Sequence, residues 1–268
     1  SVADEIAKLD FVEWADAPQG DPTVWVCDPK QPFVVDDGVL DGMPNLTYLI
    51  TPSTGETHLD RRALTRHGVT VYSLLDRRHL LEEISASAEF TLSLLLQAFR
   101  QPPAREIQNR RIGLIGMGRI GRKLTKCLEA LGAQITYHDP YVPGIRNSSL
   151  EHIFRTAEGI VVCCALTDET RGMIGWRLLP LMQPETVFVN TSRGEVVNEE
   201  VLLAVMKQRP LRVALDVLDG ENRGITRRQA FIDAGAIVTP HVAGETYDSR
   251  TKAAKITLDI LKDIYRAK

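Results

Sequence analysis

The sequence predicts an α/β protein: a doubly wound parallel sheet preceded by a second, smaller α/β unit. Three observations carry that expectation. Six short apolar runs alternate with helical segments through the second part of the chain. Most of those runs are nearly continuous rather than alternating in polarity, as parallel strands covered on both faces require. Three shorter β-rich runs come first, set apart from the six by a long amphipathic helix.

Taken in order, the first runs are TVWVC at 23–27, TYLI at 47–50 and VTVYS at 69–73. The turn-rich stretches DPKQP and DGMPN and the polar segment HLDRRALTRHG separate them. From Ile84 to Arg100 the apolar residues Ile84, Ala88, Leu92, Leu95, Leu96 and Phe99 recur at offsets of three and four, a helical stripe that QPP ends. Then follow RIGLIG at 111–116, QITYHD at 134–139, GIVVCCAL at 159–166, TVFVNT at 186–191, RVALDV at 212–217 and AIVTP at 236–240. Between the first two, 119–131 places Ile120, Leu124, Cys127, Leu128 and Leu131 on one helical stripe. A last helix over 246–265 carries Ile256, Leu258, Ile260, Leu261 and Ile264; nothing in the pattern attaches it to the six-strand unit, so it is free to return to the first.

Composition narrows the partner class. With 268 residues, 44% hydrophobic and 25% charged, and a mean hydropathy of −0.11, the chain folds by burial without needing staples. The 32 Lys and Arg nearly balance the 35 Asp and Glu, so no basic footprint for nucleic acid or an anionic membrane exists. A small molecule is the expected partner. No apolar run approaches the roughly 18 residues that span a bilayer, and the opening SVADEIAKLDFVEW is acidic where a signal peptide is basic, which reads as cytoplasmic. Cys27, Cys127, Cys163 and Cys164 form no C-x-x-C pair, and buried, reduced thiols are favoured over a disulfide or zinc site. His58, His67, His79 and His152 lie in polar segments without ligand spacing and His138 ends a strand, so none is assigned to a metal.

One motif fixes a cofactor class. Gly116-Met117-Gly118-Arg119-Ile120-Gly121 follows a predicted strand and opens a predicted helix, the context a G-x-G-x-x-G needs. Gly116 permits the tight turn, Gly118 the approach of a pyrophosphate, and Gly121 close packing of helix on strand. The helix N–H groups then face the phosphate charge. Asp139 closes the next strand about 20 residues on, where a carboxylate accepts from the adenosine ribose and repels a 2′-phosphate. The pattern predicts a dinucleotide site selecting NAD over NADP.

At the ends of later strands sit Arg193 in NTSRGEVVN, Asp216 in ALDVLDGEN with Glu221 beyond it, and His241 in TPHVAGET. Carboxyl ends of parallel strands share one edge, so these groups converge on the cofactor crevice. Hydride transfer to a 2-oxo acid needs a cation for the carboxylate, a proton donor and a group that tunes the donor. Each residue also has an ordinary reading, as a surface turn, a structural histidine or a solvated carboxylate. The segment DRRHLLEE at 76–83 either places Arg77, Arg78 and His79 toward an acidic substrate or is a solvated basic loop.

GLIGMGRIGRKL, then YHDP, NTSRGEVVNEEVL, ALDVLDGE and TPHVAGET, stand in the order found in the D-isomer-specific 2-hydroxyacid dehydrogenases, and from about Asn45 to Lys268 the chain resembles that family. The resemblance implies that Arg193 binds and polarises the substrate, that His241 is the acid/base, and that Glu221 hydrogen-bonds the histidine and raises its pKa. It assigns Gly116, Gly118, Arg119, Ile120, Gly121, Asp139, Thr191, Asp216 and Gly244 to the cofactor, and Thr54 and Gly55 with Arg193 to the substrate. It also implies a split, flavodoxin-like substrate domain of residues 1–84 and 247–268 around a Rossmann NAD domain of 85–246, and a homodimer. The chain departs from the family in having Asn222 after Glu221 where Pro is usual, Thr57 where Asp is common, Ala165 for Pro, and a short 100–111 segment. The expected function is NAD-dependent interconversion of a 2-oxo acid and a D-2-hydroxy acid. The alternatives are a non-catalytic NAD-sensing scaffold of the corepressor kind and a phosphite- or formate-type dehydrogenase.

Overall fold

The computed structural model describes residues 20–266, except 32, 145, 146, 222, 223 and 225. The acidic opening segment and Asn222 therefore lie outside the described residues. The chain divides into two compact units, one holding the residues up to Ile84 and resuming at Thr246, the other running from Ser85 to Glu221 and on to Glu245.

In the first unit β1 (Val24–Val26), β2 (Tyr48–Thr51) and β3 (Thr70–Ser73) pair in that order, all parallel, with Val24 opposite Tyr48 and Tyr48 opposite Thr70. Acidic caps start its first helices. Asp36 accepts from Val39 N–H ahead of α1 (Asp37–Leu40), and Asp60 from Arg62 and Ala63 N–H ahead of α2 (Arg61–Arg66). Leu40, Leu49, Leu59 and Leu64 close around Cys27 on one side. A short helix α3 (Arg78–Leu81) follows β3.

The second unit opens with α4 (Ala86–Arg100). It continues through β4 (Arg111–Ile115), α5 (Arg119–Ala130), β5 (Gln134–His138), α6 (Leu150–Thr156) and β6 (Gly159–Val162). It ends with β7 (Val187–Asn190), α7 (Glu199–Gln208), β8 (Arg212–Leu215), α8 (Arg228–Asp233) and β9 (Ile237–Val238). The six strands are parallel in the order β5-β4-β6-β7-β8-β9. Because strand side chains alternate, Ile160 and Phe188 join one core while Val161 and Val189 join the other, so the sheet is buried on both faces. The reversal of strand order beside β4 is the switch point at which doubly wound sheets bind ligands.

The last helix, α9 (Tyr247–Arg266), belongs to the first unit. Its Ile256, Ile260, Leu261 and Ile264 pack with Ile50, Leu74 and Leu81. Arg77 ion-pairs with Asp263 of this helix, and Lys252 Nζ donates to Glu83 O at 2.6 Å. Of the two readings of the 76–83 segment, this ion pair favours the solvated basic loop for Arg77.

Several local expectations are corrected. The run at 159–166 is strand only to Val162; a Cβ at Gly116 would stand 2.6 Å from Cys164 N, so the backbone there leaves the ladder to back the β4 turn. On α5, Cys127 is exposed and Leu131, the C-cap, is 43% exposed. The buried face is Gly121, Leu124 and Leu128, with Cys127 on its flank. Cys27 is buried and Cys163 and Cys164 partly so; burial pushes the Cys27 thiol up to about 12 and that of Cys164 up to about 11. His58, although in a polar segment of the sequence, is 1% exposed, with Nε2 3.0 Å from Thr51 Oγ1.

Candidate active site

The turn after β4 is built by sterics. Gly116 has φ +101°, and a Cβ on Gly121 would meet Gly116 O at 2.2 Å, so the first and third glycines are required by each other and by Cys164. Gly118 differs, since a Cβ there would meet nothing within 4 Å. Its bare backbone caps α5, whose first residues are Arg119 and half-buried Ile120. This is the open approach to helix N–H groups that a pyrophosphate needs. Asp139, one residue past β5, accepts from Met117 N–H at 2.8 Å through Oδ2 and from Tyr141 N–H at 3.0 Å through Oδ1. The carboxylate therefore lies against the glycine turn. The geometry fits a dinucleotide held by Gly116–Gly121 and Asp139.

Further along the same edge, β7, β8 and β9 are neighbours, with Asn190 opposite Leu215 and Leu215 opposite Val238. The residues following these strands must therefore emerge side by side. After β7, Asn190 Oδ1 accepts from Ser192 N–H and Asn190 Nδ2 donates to Arg193 O at 2.9 Å. That side chain shapes the turn presenting Arg193, whose Nη1 donates to Ser192 O at 2.6 Å. Burial lowers the Arg193 pKa, opposed by the charges of Glu195 and Glu221. Sequence reasoning passed over Asn190, although an Asn closing a strand before Ser is itself a turn signal. Thr191, also buried, shares a hydrogen bond with Thr91 Oγ1 at 2.6 Å.

After β8, Asp216 is fully buried and accepts from Thr239 Oγ1 at 2.5 Å, Val242 N–H at 2.9 Å and Ala243 N–H at 2.8 Å. Its carbonyl accepts from His241 N–H at 2.9 Å. Asp216 thus holds the turn that carries His241 and ends near Gly244. His241 has φ +54°, a left-handed conformation uncommon for a residue with a side chain, and these bonds impose it. Its Nδ1 lies 2.8 Å from Glu221 Oε2, while Glu221 Oε1 accepts from Leu218 N–H at 2.8 Å. A carboxylate fixed on one side by the backbone and on the other by the imidazole orients the ring and leaves Nε2 for proton exchange.

The first unit places Thr54 and Gly55 in the loop after β2, where Gly55 N–H donates to Ser53 Oγ at 2.9 Å. The loop is closed on itself there.

Residues 78–243 match the family model described as D-isomer specific 2-hydroxyacid dehydrogenase, NAD binding domain. The chain belongs to this family. The D-3-phosphoglycerate dehydrogenase of Mycobacterium tuberculosis is 30% identical over 90% of this chain and 50% of that protein, so the chain spans half the length of that relative. The (S)-sulfolactate dehydrogenase of Chromohalobacter salexigens is 33% identical over 58% of this chain and 52% of its own. In fold, the D-lactate dehydrogenase of Aquifex aeolicus superposes with a TM-score of 0.79 over 92% of this chain and 80% of that one, at 21% identity.

As a member of this family the protein takes NAD in its larger unit. Among the described residues no helix is long and apolar enough to cross a membrane. The proposed selector of the dinucleotide is Asp139: the wild type should bind NADH at least about tenfold tighter than NADPH, since like charges brought together cost several kcal/mol. Asp139→Ser should narrow that gap, as read by fluorescence titration. Equal affinities in the wild type would remove the assignment.

Proposed function

We propose that the protein interconverts a 2-oxo acid and a D-2-hydroxy acid. The observation that carries the reading is the 2.8 Å hydrogen bond between Glu221 and His241 on the strand edge that also presents Arg193. NAD, when bound, supplies or accepts the hydride. Arg193 grips the substrate carboxylate and polarises the keto oxygen with its planar fork of donors. His241 delivers a proton to that oxygen through Nε2 in reduction and removes it in oxidation, while Glu221 holds the ring in place. By resemblance, Thr54 and Gly55 take part in holding the carboxylate, and Thr191, Asp216 and Gly244 in seating the cofactor. The proposed macromolecular partner is a second copy of the chain. On α4 the buried face is Ala88, Thr91, Leu94, Leu95, Ala98 and Phe99, which leaves Leu92 and Leu96 half-buried beside exposed Ser93 and Gln97.

The test is a panel of 2-oxo acids with NADH, followed by nicotinamide absorbance, with Glu221→Gln in parallel. At least one acid should turn over. Glu221→Gln keeps the shape of the side chain and removes its charge, so kcat should fall roughly 10- to 100-fold, the worth of a charged hydrogen bond, with KM little moved. Tight NADH binding without turnover on any 2-oxo acid would refute the reading.

A further inference from the structure

We propose that Glu199, which neither the motifs nor the family resemblance assigns a role, is a positioning residue that seats Glu221 on His241 by holding the peptide between Leu218 and Asp219. The inference rests on the reading of His241 as the acid/base.

Glu199 is the first residue of α7, directly after its cap Asn198, and the first turn of a helix ordinarily holds an acidic side chain in water. Here it is 5% exposed. Its Oε1 accepts from Asp219 N–H at 2.7 Å, and its Oε2 has no hydrogen-bond partner among the described residues. The one cation facing Oε2 among those residues is Arg227, at 3.7 Å, whose guanidinium is already engaged by Glu200 at 2.6 Å. Asp219 and Glu221, on the loop packed against it, are acids as well, and burial with these neighbours raises the Glu199 pKa. A carboxyl group placed among acids with one oxygen unsatisfied is unfavourable for stability. What it does in exchange is hold one backbone N–H.

That N–H sits at a junction. Leu218 N–H, in the peptide one step earlier in the chain, donates to Glu221 Oε1, so Leu218 joins the peptide held by Glu199 to the amide that orients the histidine's partner. The Leu218–Asp219 peptide that Glu199 holds is itself pressed against the turn presenting Arg193: a Cβ on Gly194 would lie 2.0 Å from Leu218 C and 2.2 Å from Asp219 N. The Leu218–Asp219 peptide thus abuts the turn that carries Arg193 and adjoins the amide that holds Glu221. A hydrogen bond from the rigid first turn of α7 fixes where it lies. Glu221 then has one position from which to meet the imidazole.

The test compares Glu199→Ala with Glu199→Gln, because an amide oxygen can accept the same bond without a charge. Three measurements are made: hydrogen exchange of the Asp219 amide, the downfield proton resonance of His241 Nδ1–H, and NADH-dependent kcat and KM. In Glu199→Ala the amide should lose about tenfold or more of its protection, the resonance should fade, and kcat should drop about tenfold with KM nearly constant, the order of one hydrogen bond's net worth. Glu199→Gln should restore all three. Unchanged Asp219 protection in Glu199→Ala would overturn the proposal. So would lost protection with unchanged kcat while Glu221→Gln and His241→Gln remain crippled; that result would leave the reading of the active site standing. If the wild type itself turns over no 2-oxo acid, the functional reading fails and the His241 resonance still decides whether Glu199 seats Glu221.

Discussion

His241→Gln should lower kcat for 2-oxo acid reduction by about 10²- to 10⁴-fold, the contribution of a positioned acid/base, while leaving NADH affinity within a few-fold of the wild type. The asymmetry follows from where the residue sits. The histidine is carried by a turn beyond β9, whereas the proposed phosphate and ribose supports, Gly116–Gly121 and Asp139, lie beyond β4 and β5, at the far side of the strand order. Glutamine keeps a side chain of similar reach and offers an amide that cannot release a proton near neutral pH. Its backbone must still adopt the φ of +54°, so thermal unfolding is measured alongside to separate loss of the proton donor from loss of the turn. A His241→Gln enzyme with more than a tenth of wild-type kcat would remove the residue from the proton-transfer step.

Gly194→Ala is expected to do comparable damage without touching substrate. Its Cβ would lie 2.0 Å from Leu218 C, 2.2 Å from Asp219 N and 2.5 Å from Leu218 O, all backbone atoms that no rotamer change can move aside. Overpacking of this kind costs typically about 1–3 kcal/mol, and here strain can be relieved only by pushing apart the turn that holds Arg193 and the loop that holds Glu221. A displacement near 1 Å in positioned groups costs about 10²-fold in rate. The variant should therefore show a lower Tm and a kcat/KM reduced about 10²-fold or more, with NADH binding preserved. Wild-type Tm together with wild-type kcat/KM would mean that the two segments move apart freely. The glycine is thus required for space rather than for a left-handed backbone, unlike Gly116 with its φ of +101°.

The parts of this protein written locally were legible in its residues. Continuous apolar runs announced parallel strands with both faces covered, because burial of a strand is decided by its own composition. The three glycines between a strand and a helix announced a tight strand-to-helix turn, although only Gly121 answers a demand inside the motif, that of Gly116 O, while Gly116 is crowded by the distant Cys164; Asp139 followed at a spacing set by one β-α-β crossover. Arg193, Glu221 and His241 stood out as reactive types just past strand ends. What the sequence left open depends on which elements become neighbours. Only the register of β7, β8 and β9 brings residues 20 apart, Glu221 and His241, to 2.8 Å, and only the packing of α9 against β2 assigns the last helix to the smaller unit. Glu199, His58 and Asn190 look ordinary in sequence and become structural supports once buried; Cys127 and Leu131 look like core and face water. Whether Arg77 stands toward a substrate or in a solvated loop was open in the sequence, and its ion pair with Asp263 of α9 is a contact no local pattern announces. The division is physical: periodicity and spacing fix what a segment becomes, but a side chain's burial and its partners are set by contacts between segments far apart in sequence, which no local pattern encodes.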